Sequence, residues 1–580
     1  MKIISFGINN FRWISGWIEK NKLNFNESNT IFLLWQNNVW KSTFLRAYEF
    51  FYKNTSPSDD DLFSKNVDNL IEFELELKLD DFDFEKDAIK SKAEWLRSWL
   101  NSDSVLKIRR TFVSKMNWEK IKIEAPENFT FSWTKNEWEE KNYWGIWLDT
   151  VFQSSLPHPI FIKAMPTEEE VENIINDILS KKAEKALEDK ERAELKAAQV
   201  KIRELQDKMY NPVSIQKYKD EVNNHFWKLF PETQIELEEK DKTVWSESKF
   251  WKKFAIHFEK KNPDGTINKN IPSSYAKIWH GAIRSAIFSL MLMKDIAEEF
   301  ERSENRKDYL VLFEEPELFL HPRLMKELRA LIYKVSEDDY PYQILCASHS
   351  PQMIDISKPK SSLIRLIKDS SWTKVYQIDD SFLKASKNIA TKEQLKNEMY
   401  EVLRFNPFLC ESFYADEVIL IEWPTEEIIL RWYLWEKCPM KDVFIVNCGT
   451  VNNIPFYQKI FSKFSIKYNI ICDTDNANYD GIDANWIKKF TSWIQKTIYE
   501  QYILDKDNGI SLNFCYHEDT FEPAHKVSSI PEKFRYKDTY NISDWKPYNA
   551  NLYWRDVLAP NLEDESINLV PIISFIKKIT

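Results

Sequence analysis

The chain has 580 residues, of which 43% are hydrophobic and 29% are charged. Single cores rarely grow beyond about 250–300 residues, so this length predicts two large domains, with room for a third. No apolar run approaches the roughly 20 residues of a membrane span, which excludes membrane insertion, and the composition excludes disorder for most of the chain. The net charge of −11 argues against a wholly basic nucleic-acid coat but leaves room for a local basic groove.

The cysteines and the first residues indicate the compartment. Six cysteines are scattered along the chain and form no CxxC pair. This usage is typical of a reducing environment rather than of a disulfide or zinc framework. The first residues lack a basic segment followed by an apolar stretch and a small-residue cleavage site. We therefore expect a cytoplasmic protein.

Glycine is scarce and tryptophan is abundant. Glycine occurs 8 times and tryptophan 23 times, whereas a chain of this length should carry roughly 40 glycines. Many tryptophans lie in polar or turn-like surroundings, such as NEWEEKNYW and IEWPTEE, where an indole finds no burial. We interpret many of them as glycines, written by translating UGA codons with the wrong table, since some bacteria read UGA as glycine. A truly tryptophan-rich protein is the alternative.

The first 80 residues predict the start of an α/β sheet domain. Strands are expected at MKIISFGI and at 31–34, followed by a helix from about Ser42 to Tyr52. The segment 71–79 alternates apolar and charged residues with period two, which predicts a half-buried strand.

A helical segment interrupts this domain. From about Pro166 to Tyr210 the composition shifts to Glu, Lys and Ala, and apolar residues from Leu195 to Met209 follow a heptad spacing. This pattern predicts a long helix or a helical hairpin. A solvated helix packed on its own chain and a dimer contact explain the pattern equally well.

A phosphate-binding loop follows the strand at 31–34. The segment WQNNVWKS becomes G-x4-G-K-S when Trp35 and Trp40 are read as glycine. Backbone N–H groups of such a loop close around phosphates, Lys41 reaches the β and γ phosphates, and the Ser42 hydroxyl binds Mg²⁺. The nucleotide-binding residues predicted here are Trp35, Asn37, Asn38, Trp40, Lys41, Ser42 and Thr43.

Two later segments supply acids and an imidazole to this site. An apolar strand ends at Glu314 and Glu315, and ligands of α/β sheets bind at such strand ends. Glu314 would hold Mg²⁺ and Glu315 would polarise the attacking water. The next strand, QILCAS, ends at His349, which would lie near the γ phosphate. A helix-start carboxylate and a structural histidine are the alternative readings of these residues.

A glycine-rich turn is predicted at KIWHGAIRS, where Trp279 as glycine gives K-I-G-H-G. Turns of this kind in ATP-binding-cassette ATPases bind the γ phosphate of ATP held by a partner subunit. Trp279 and Gly281 are the residues that would do so here.

The last part of the chain predicts a second α/β domain. Strand VILI leads into Glu422 and Glu426, and strand YNIIC leads into Asp473 and Asp475. Carboxylates at the ends of neighbouring strands can converge on one edge of a sheet and hold a divalent metal. A lone DxD is usually only a turn, but here it follows an E-x-x-x-E on an earlier strand.

The order of NNVWKST, the helical insertion, the glycine-rich turn, EEPELFLHP and ASHSP resembles the cassette ATPases of the RecF, SMC and OLD (overcoming lysogenization defect) group. With the acidic segments, it is most similar to OLD-family proteins, which include the nuclease subunit of Gabija-type defence systems. The resemblance implies an α/β fold: an ABC-type P-loop ATPase domain interrupted by a helical insertion, then a Toprim domain. A Gln-loop is not identifiable.

The resemblance also implies roles for the acids of the second domain. Glu422, Asp473 and Asp475 match Toprim metal ligands, and Glu426 would join a second metal site. Glu522 matches a further ligand of the second metal. Lys546, in WKP, would stabilise the developing charge on the scissile phosphate.

These observations predict that the chain is divided into five segments. The ATPase domain has halves at 1–165 and 231–380, separated by the insertion at 166–230. A linker at 381–410 leads to the Toprim domain at 411–580.

The function we expect is an ATP-regulated, metal-dependent DNA endonuclease in phage defence or DNA repair, using ATP and Mg²⁺ or Mn²⁺. DNA and a second copy of the chain are the expected partners, with room for a partner helicase and no membrane. One alternative is a non-cleaving, RecF/SMC-like DNA-binding repair ATPase with a scaffold Toprim domain. Another takes every tryptophan literally and gives an inactive ATPase that serves only in assembly.

The glycine interpretation makes a direct prediction. The gene should carry UGA codons at positions 35, 40, 279 and 423, because glycine there completes the phosphate loop, the glycine-rich turn and the E-G-P-T-E segment. Mass spectrometry of the native protein should find glycine at these positions. UGG codons at all four would reject the interpretation.

Overall fold

Two compact units make up the chain, Met1–Val375 and Tyr376–Thr580. The computed structural model describes residues 1–34, 41–140, 155–164, 212–226, 233–240, 253–260, 308–377, 409–475 and 493–580, apart from short breaks within these ranges, and a few positions between 262 and 289. No described helix is long and apolar enough to span a bilayer.

The first unit mixes strands and helices. Its described helices are Lys41–Lys53 (α1), Asp81–Glu85 (α2), Asp87–Lys90 (α3), Ala93–Arg97 (α4), Pro212–Phe226 (α5) and Pro322–Val335 (α6). Its described strands are Lys2–Asn9 (β1), Lys22–Asn24 (β2), Thr30–Leu34 (β3), Ile71–Lys78 (β4), Val105–Phe112 (β5), Ser114–Asn117 (β6), Lys120–Ile123 (β7), Glu127–Ser132 (β8), Glu137–Glu140 (β9), His158–Ile162 (β10), Thr233–Lys240 (β11), Lys253–Lys260 (β12), Tyr309–Glu314 (β13), Tyr342–Ser348 (β14), Ser361–Lys368 (β15) and Thr373–Gln377 (β16).

One sheet of this unit is antiparallel, in the order β2-β1-β4-β5-β8-β9. The strand predicted at 71–79 is present as β4, but it is more deeply buried than its alternating pattern indicates, since Glu74 is fully buried. The Glu74 carboxylate lies 2.7 Å from Arg109, 2.9 Å from Lys107 and 3.5 Å from Lys22. A buried charge is tolerated when it is paired in this way, and the pairing comes from neighbouring strands.

The second sheet has the strand order β10-β13-β14-β3-β15-β16. The pairs from β10 through β15 are all parallel. Every residue of β3 and β14 is buried, and each fully buried Val, Leu, Ile or Phe contributes about 1.5–3 kcal/mol. Strands covered on both faces are nearly continuous apolar runs, which is why their sequences predict them. Their carboxyl ends meet at one edge.

The second unit contains a four-stranded parallel sheet. Its strands are Glu417–Ile421 (β17), Val443–Asn447 (β18), Lys467–Asp473 (β19) and Ser511–His517 (β20). Its described helices are Leu409–Ser412 (α7), Pro424–Lys437 (α8), Ile454–Lys463 (α9), Trp493–Asp507 (α10), Phe521–Ala524 (α11), Lys546–Tyr553 (α12) and Pro571–Ile579 (α13).

The strand order of this sheet, β18-β17-β19-β20, contains a reversal. From β17 the chain first passes to β18 on one side and then to β19 on the other. The crevice at the carboxyl end of such a reversal is where open α/β sheets bind ligands. In this unit it lies between the ends of β17 and β19.

The strands expected at VILI and YNIIC are confirmed as β17 and β19. The helix expected at 42–52 is confirmed as α1. The heptad segment from Leu195 to Met209 lies outside the described residues, as does the rest of the expected insertion except α5. Most of the expected linker at 381–410 is also outside them.

Candidate functional site

The edge predicted to bind nucleotide lies at the carboxyl ends of β13, β14 and β3. Helix α1 begins at Lys41, and only the backbone of that residue is described. Ser42 is half-buried, and Thr43 is fully buried with no hydrogen bond to Oγ1 from described groups. Outside the described residues are Trp35, Asn37, Asn38, Trp40, Trp279 and Gly281.

Glu314 is the last residue of β13 and Glu315 follows it, so both lie at this edge. Glu315 has a left-handed backbone, with φ of 43°, and its N–H donates to the carbonyl of Ala347 at 2.8 Å. Burial raises the pKa of Glu314, and Arg46 on α1 opposes that rise. A strained backbone at an acidic strand end is typical of functional sites, because only a constraining fold maintains it.

His349 follows β14 and lies beside Glu315, with Nε2 3.6 Å from Glu315 Oε1. Glu317 fixes this turn, since its carboxylate accepts hydrogen bonds from the His349 backbone N–H and from the Ser348 hydroxyl. The structure thus brings together Glu314, Glu315 and His349 at the edge where α1 begins.

The second cluster lies at the strand reversal of the second unit. Glu422 follows β17, and its Oε2 accepts a hydrogen bond from the backbone N–H of Asp473, the last residue of β19, at 3.3 Å. Burial raises the pKa of Glu422 to about 7, with further contributions from the charges of Asp473 and Asp475. The carboxylates from two neighbouring strands therefore repel one another at close range.

Glu426 and His517 complete the buried part of this cluster. Glu426 lies in the first turn of α8, and His517 is the last residue of β20; both are fully buried. His517 Nδ1 is 3.0 Å from Asp473 Oδ1 and 3.5 Å from Glu426 Oε1. Burial alone would lower the pKa of His517, but the two carboxylates raise it to about 9. Burial raises the pKa of Glu426.

Asp475 occupies a constrained turn beyond β19. Its φ is 52°, and its N–H donates to the carbonyl of Asp519 at 2.9 Å. The Asp519 N–H donates in turn to the Thr474 hydroxyl at 2.8 Å. Gln495 on α10 donates to the backbone carbonyls of Asp473 and Thr474. These bonds position the D-T-D segment rigidly beside the turn that follows β20.

Glu522 and Lys546 lie close together at the rim. Glu522 is on α11, and its Oε1 is 3.9 Å from Lys546 Nζ at the start of α12. Lys546 Nζ also lies 5.7 Å from the centre of the Trp423 ring, the residue next to Glu422. The tertiary fold thus brings Lys546 to the acidic cluster, although more than 120 residues separate it from Glu422 in sequence.

The donor set fits a divalent cation. One ligand atom each from Glu426, Asp473 and His517 lies within 4.8 Å of the others. Neither carboxylate oxygen of Glu426 accepts a hydrogen bond from the described groups, although the side chain is fully buried. Buried carboxylates normally have hydrogen-bond or metal partners. A cation there would offset the repulsion that raises the pKa of Glu422.

Sequence reasoning found the acids of this cluster but missed His517, Thr474 and Gln495. His517 ends a strand two residues before Asp519, and a polar residue at a strand end was the available signal. Gln495 had no such signal, because it lies in the first described turn of helix α10 and not at a strand end.

Two curated proteins are similar to this chain. The "Old nuclease" of Escherichia phage P2 is 25% identical over 275 residues, which cover 45% of this chain and 43% of that protein. "Endonuclease GajA" of Bacillus cereus strain HuB5-5 is 24% identical over 276 residues, covering 43% of this chain and 38% of that protein. The matched region thus spans less than half the length of either relative.

Among solved structures, an SMC head bound to the C-winged helix domain of ScpA has 12% identity and a TM-score of 0.39, covering 67% of this chain and 100% of that one. Residues 1–354 match the AAA ATPase domain family. Residues 413–475 match the Toprim domain of overcoming lysogenization defect protein-like proteins, and this stretch contains Glu422, Glu426, Asp473 and Asp475. The chain therefore belongs to the AAA ATPase domain family, and its residues 413–475 match an OLD-like Toprim domain.

Proposed function

We propose that this protein is an ATP-regulated endonuclease that cuts DNA with divalent metal ions held by its Toprim acids. The observation that carries the proposal is the convergence of Glu422, Glu426 and Asp473 at the strand reversal of the second unit. The names of the two relatives, a nuclease and an endonuclease, support the same activity.

The residues of the Toprim domain would have two separate roles, metal binding and phosphate binding. Glu422, Glu426, Asp473 and Asp475 would hold the cations. Bound divalent cations lower the pKa of an attacking water and neutralise charge on the leaving oxygen. Lys546 Nζ is at the rim, where it can bind a phosphate oxygen and stabilise the charge that develops during cleavage.

The ATPase edge would control this chemistry. Glu315 and His349 lie side by side at the sheet edge where α1 begins, as an ATP-hydrolysing site requires. Glu314 would hold Mg²⁺ with Ser42. A second copy of the chain would supply the turn at 279–281, as the resemblance to cassette ATPases implies. Phage defence or DNA repair is the role that the resemblance favours.

The proposal takes positions 35, 40, 279 and 423 as glycine. The indoles of the described part of the chain support this interpretation, since tryptophan normally buries most of its large surface. Seven of them are at least 36% exposed: Trp13, Trp17, Trp423, Trp432, Trp435, Trp493 and Trp545. Experiments on activity should therefore use a protein with glycine restored.

A plasmid assay tests the proposed function. The glycine-restored protein should nick or cut supercoiled DNA in Mg²⁺ or Mn²⁺, and EDTA should stop the reaction. Lys41→Ala should remove the effect of ATP on the rate without removing the cutting, because Lys41 belongs to the phosphate loop of the other unit.

Intact supercoiled, linear and single-stranded DNA in both metals, with and without ATP, would contradict the nuclease proposal. Co-expression with neighbouring genes would test whether a partner helicase is required. If the co-expressed protein also fails to cut DNA, the alternative function is favoured, which is a DNA-binding ATPase whose Toprim domain is only a scaffold.

A further inference from the structure

His517 contacts Glu426 and Asp473, two acids of the proposed metal site. It is not itself among the metal ligands predicted from the sequence. It pairs in register with Asp473 across the parallel strands β19 and β20. Its side chain is fully buried, with Nδ1 3.0 Å from Asp473 Oδ1 and 3.5 Å from Glu426 Oε1. An imidazole between two carboxylates is either a hydrogen-bond donor that orients them or a metal ligand.

Hydrogen bonding alone explains this arrangement poorly. The distance to Glu426 exceeds the roughly 2.7–3.2 Å of an N–H···O bond. Neither oxygen of Glu426 accepts a hydrogen bond from the described residues, and His517 Nε2 has no such bond with them either. The one N–H at Nδ1 therefore donates to Asp473, and Glu426 is left with only the longer ion-pair contact to the same nitrogen.

Metal coordination, in which the cation replaces the Nδ1 proton and that proton is released to solvent, explains the same distances. Ligand atoms about 2.1 Å from an octahedral cation lie about 3 Å from their neighbours around it. The separation of Nδ1 from Asp473 Oδ1 matches that spacing, and the separation from Glu426 Oε1 needs only a small adjustment. All three donor atoms lie within 4.8 Å of one another.

The imidazole ring is held with Nδ1 towards the acids. Phe521 packs edge-on against it with a centroid distance of 5.2 Å, and His525 packs at 5.1 Å. His525 donates through Nδ1 to the Phe521 carbonyl at 2.7 Å. Burial holds the pKa of His525 well below its usual range. Packing of this kind restricts the rotamer of the imidazole and so keeps Nδ1 facing the acids.

We propose that His517 is a nitrogen ligand of the Toprim metal site, shared with Glu426 and Asp473, and that it makes the site prefer Mn²⁺ to Mg²⁺. The inference rests on the proposed function and adds a metal preference to it. Imidazole suits first-row transition metals, whereas Mg²⁺ prefers oxygen donors alone. The nuclease would therefore favour a transition metal for its chemistry.

Pulsed electron paramagnetic resonance of Mn²⁺ bound to the full chain tests this inference directly. Without nucleotide, the P-loop lacks the phosphates that normally hold its metal, so the spectrum should report the Toprim site. We expect ¹⁴N modulation from a directly bound imidazole, replaced by the ¹⁵N pattern when histidine is labelled with ¹⁵N. This label requires no substitution and thus no assumption about folding.

His517→Asn distinguishes a ligand from a hydrogen-bond donor, because the asparagine amide can still donate to Asp473 from near the place of Nδ1. We expect loss of the nitrogen modulation and a Kd for Mn²⁺ at least about tenfold weaker, with a smaller change for Mg²⁺. A thermal melt checks folding. His321→Asn, a change at an exposed histidine just before α6 in the other unit, is the matched control and should alter neither result.

The outcomes separate this inference from the proposed function. Mn²⁺ binding that Asp473→Ala abolishes but that shows no nitrogen modulation would overturn the role of His517 and leave the nuclease proposal standing. Nitrogen modulation that persists in His517→Asn would also overturn it. Mn²⁺ binding unaffected by Asp473→Ala would overturn both.

Discussion

Replacing Glu422 or Asp473 with alanine should abolish the metal-dependent cutting of DNA by the glycine-restored protein. These acids come from neighbouring strands on either side of the strand reversal, and the Asp473 backbone donates to Glu422 at 3.3 Å. Removal of one group that stabilises developing charge costs on the order of 10²–10³ in kcat. Loss of a carboxylate that positions a cation should cost at least as much, because the attacking water and the leaving group both depend on it.

The measurement is the rate of plasmid nicking in Mg²⁺ and in Mn²⁺. Asp442→Ala is the matched control, because Asp442 is an exposed acid that precedes β18 at the opposite, amino edge of the same sheet. It should cut at the rate of the parent protein. Asp473→Asn, which preserves shape, guards against loss of folding. Cutting that survives in the folded Asp473→Asn and Glu422→Ala proteins would exclude these acids as the catalytic centre.

Glu315→Gln should slow ATP hydrolysis by roughly 10²–10⁴, the usual contribution of a positioned general base, while leaving ATP binding intact. The residue follows β13 in a left-handed conformation and lies 3.6 Å from His349 Nε2. Glutamine keeps the size of the side chain but cannot accept a proton from the attacking water. Lys41→Ala should instead weaken ATP binding itself, because it removes a phosphate contact.

Steady-state phosphate release and the affinity for a fluorescent ATP analogue separate these two effects. Glu327→Gln, an exposed glutamate on α6 in the same unit, is the matched control. Its hydrolysis rate should be unchanged. Equal hydrolysis by Glu315→Gln and the parent protein would show that another residue activates the water.

The sequence determined the local elements of both sheets. Strands β3, β13, β14, β17 and β19 are short apolar runs, and each is covered on both faces or nearly so. Burial on both faces leaves a continuous hydrophobic signal that needs no knowledge of neighbours. The acids at their ends were identifiable for the same reason, because a charged residue directly after such a run must lie at a sheet edge.

Tertiary structure decided which strands are neighbours. The sequence does not contain the order β18-β17-β19-β20, and only this order places Glu422 and Asp473 on either side of a strand reversal. The alternating segment 71–79 illustrates the same limit. Its period predicted a half-buried strand, but Glu74 is fully buried because Lys22, Lys107 and Arg109 reach it from other parts of the antiparallel sheet.

His517 illustrates the difference between what the sequence predicts and what only the tertiary structure decides. Its sequence context is a strand of mixed polarity, and its position at the end of that strand is a weak local signal that does not reveal its burial or its contacts. Its burial and its contacts with Asp473 and Glu426 arise because β20 pairs in parallel with β19 and α8 packs over the same edge. The sequence by itself thus determined the acids and their strands, whereas the nitrogen donor depends on long-range packing that brings together residues 44 and 91 positions apart.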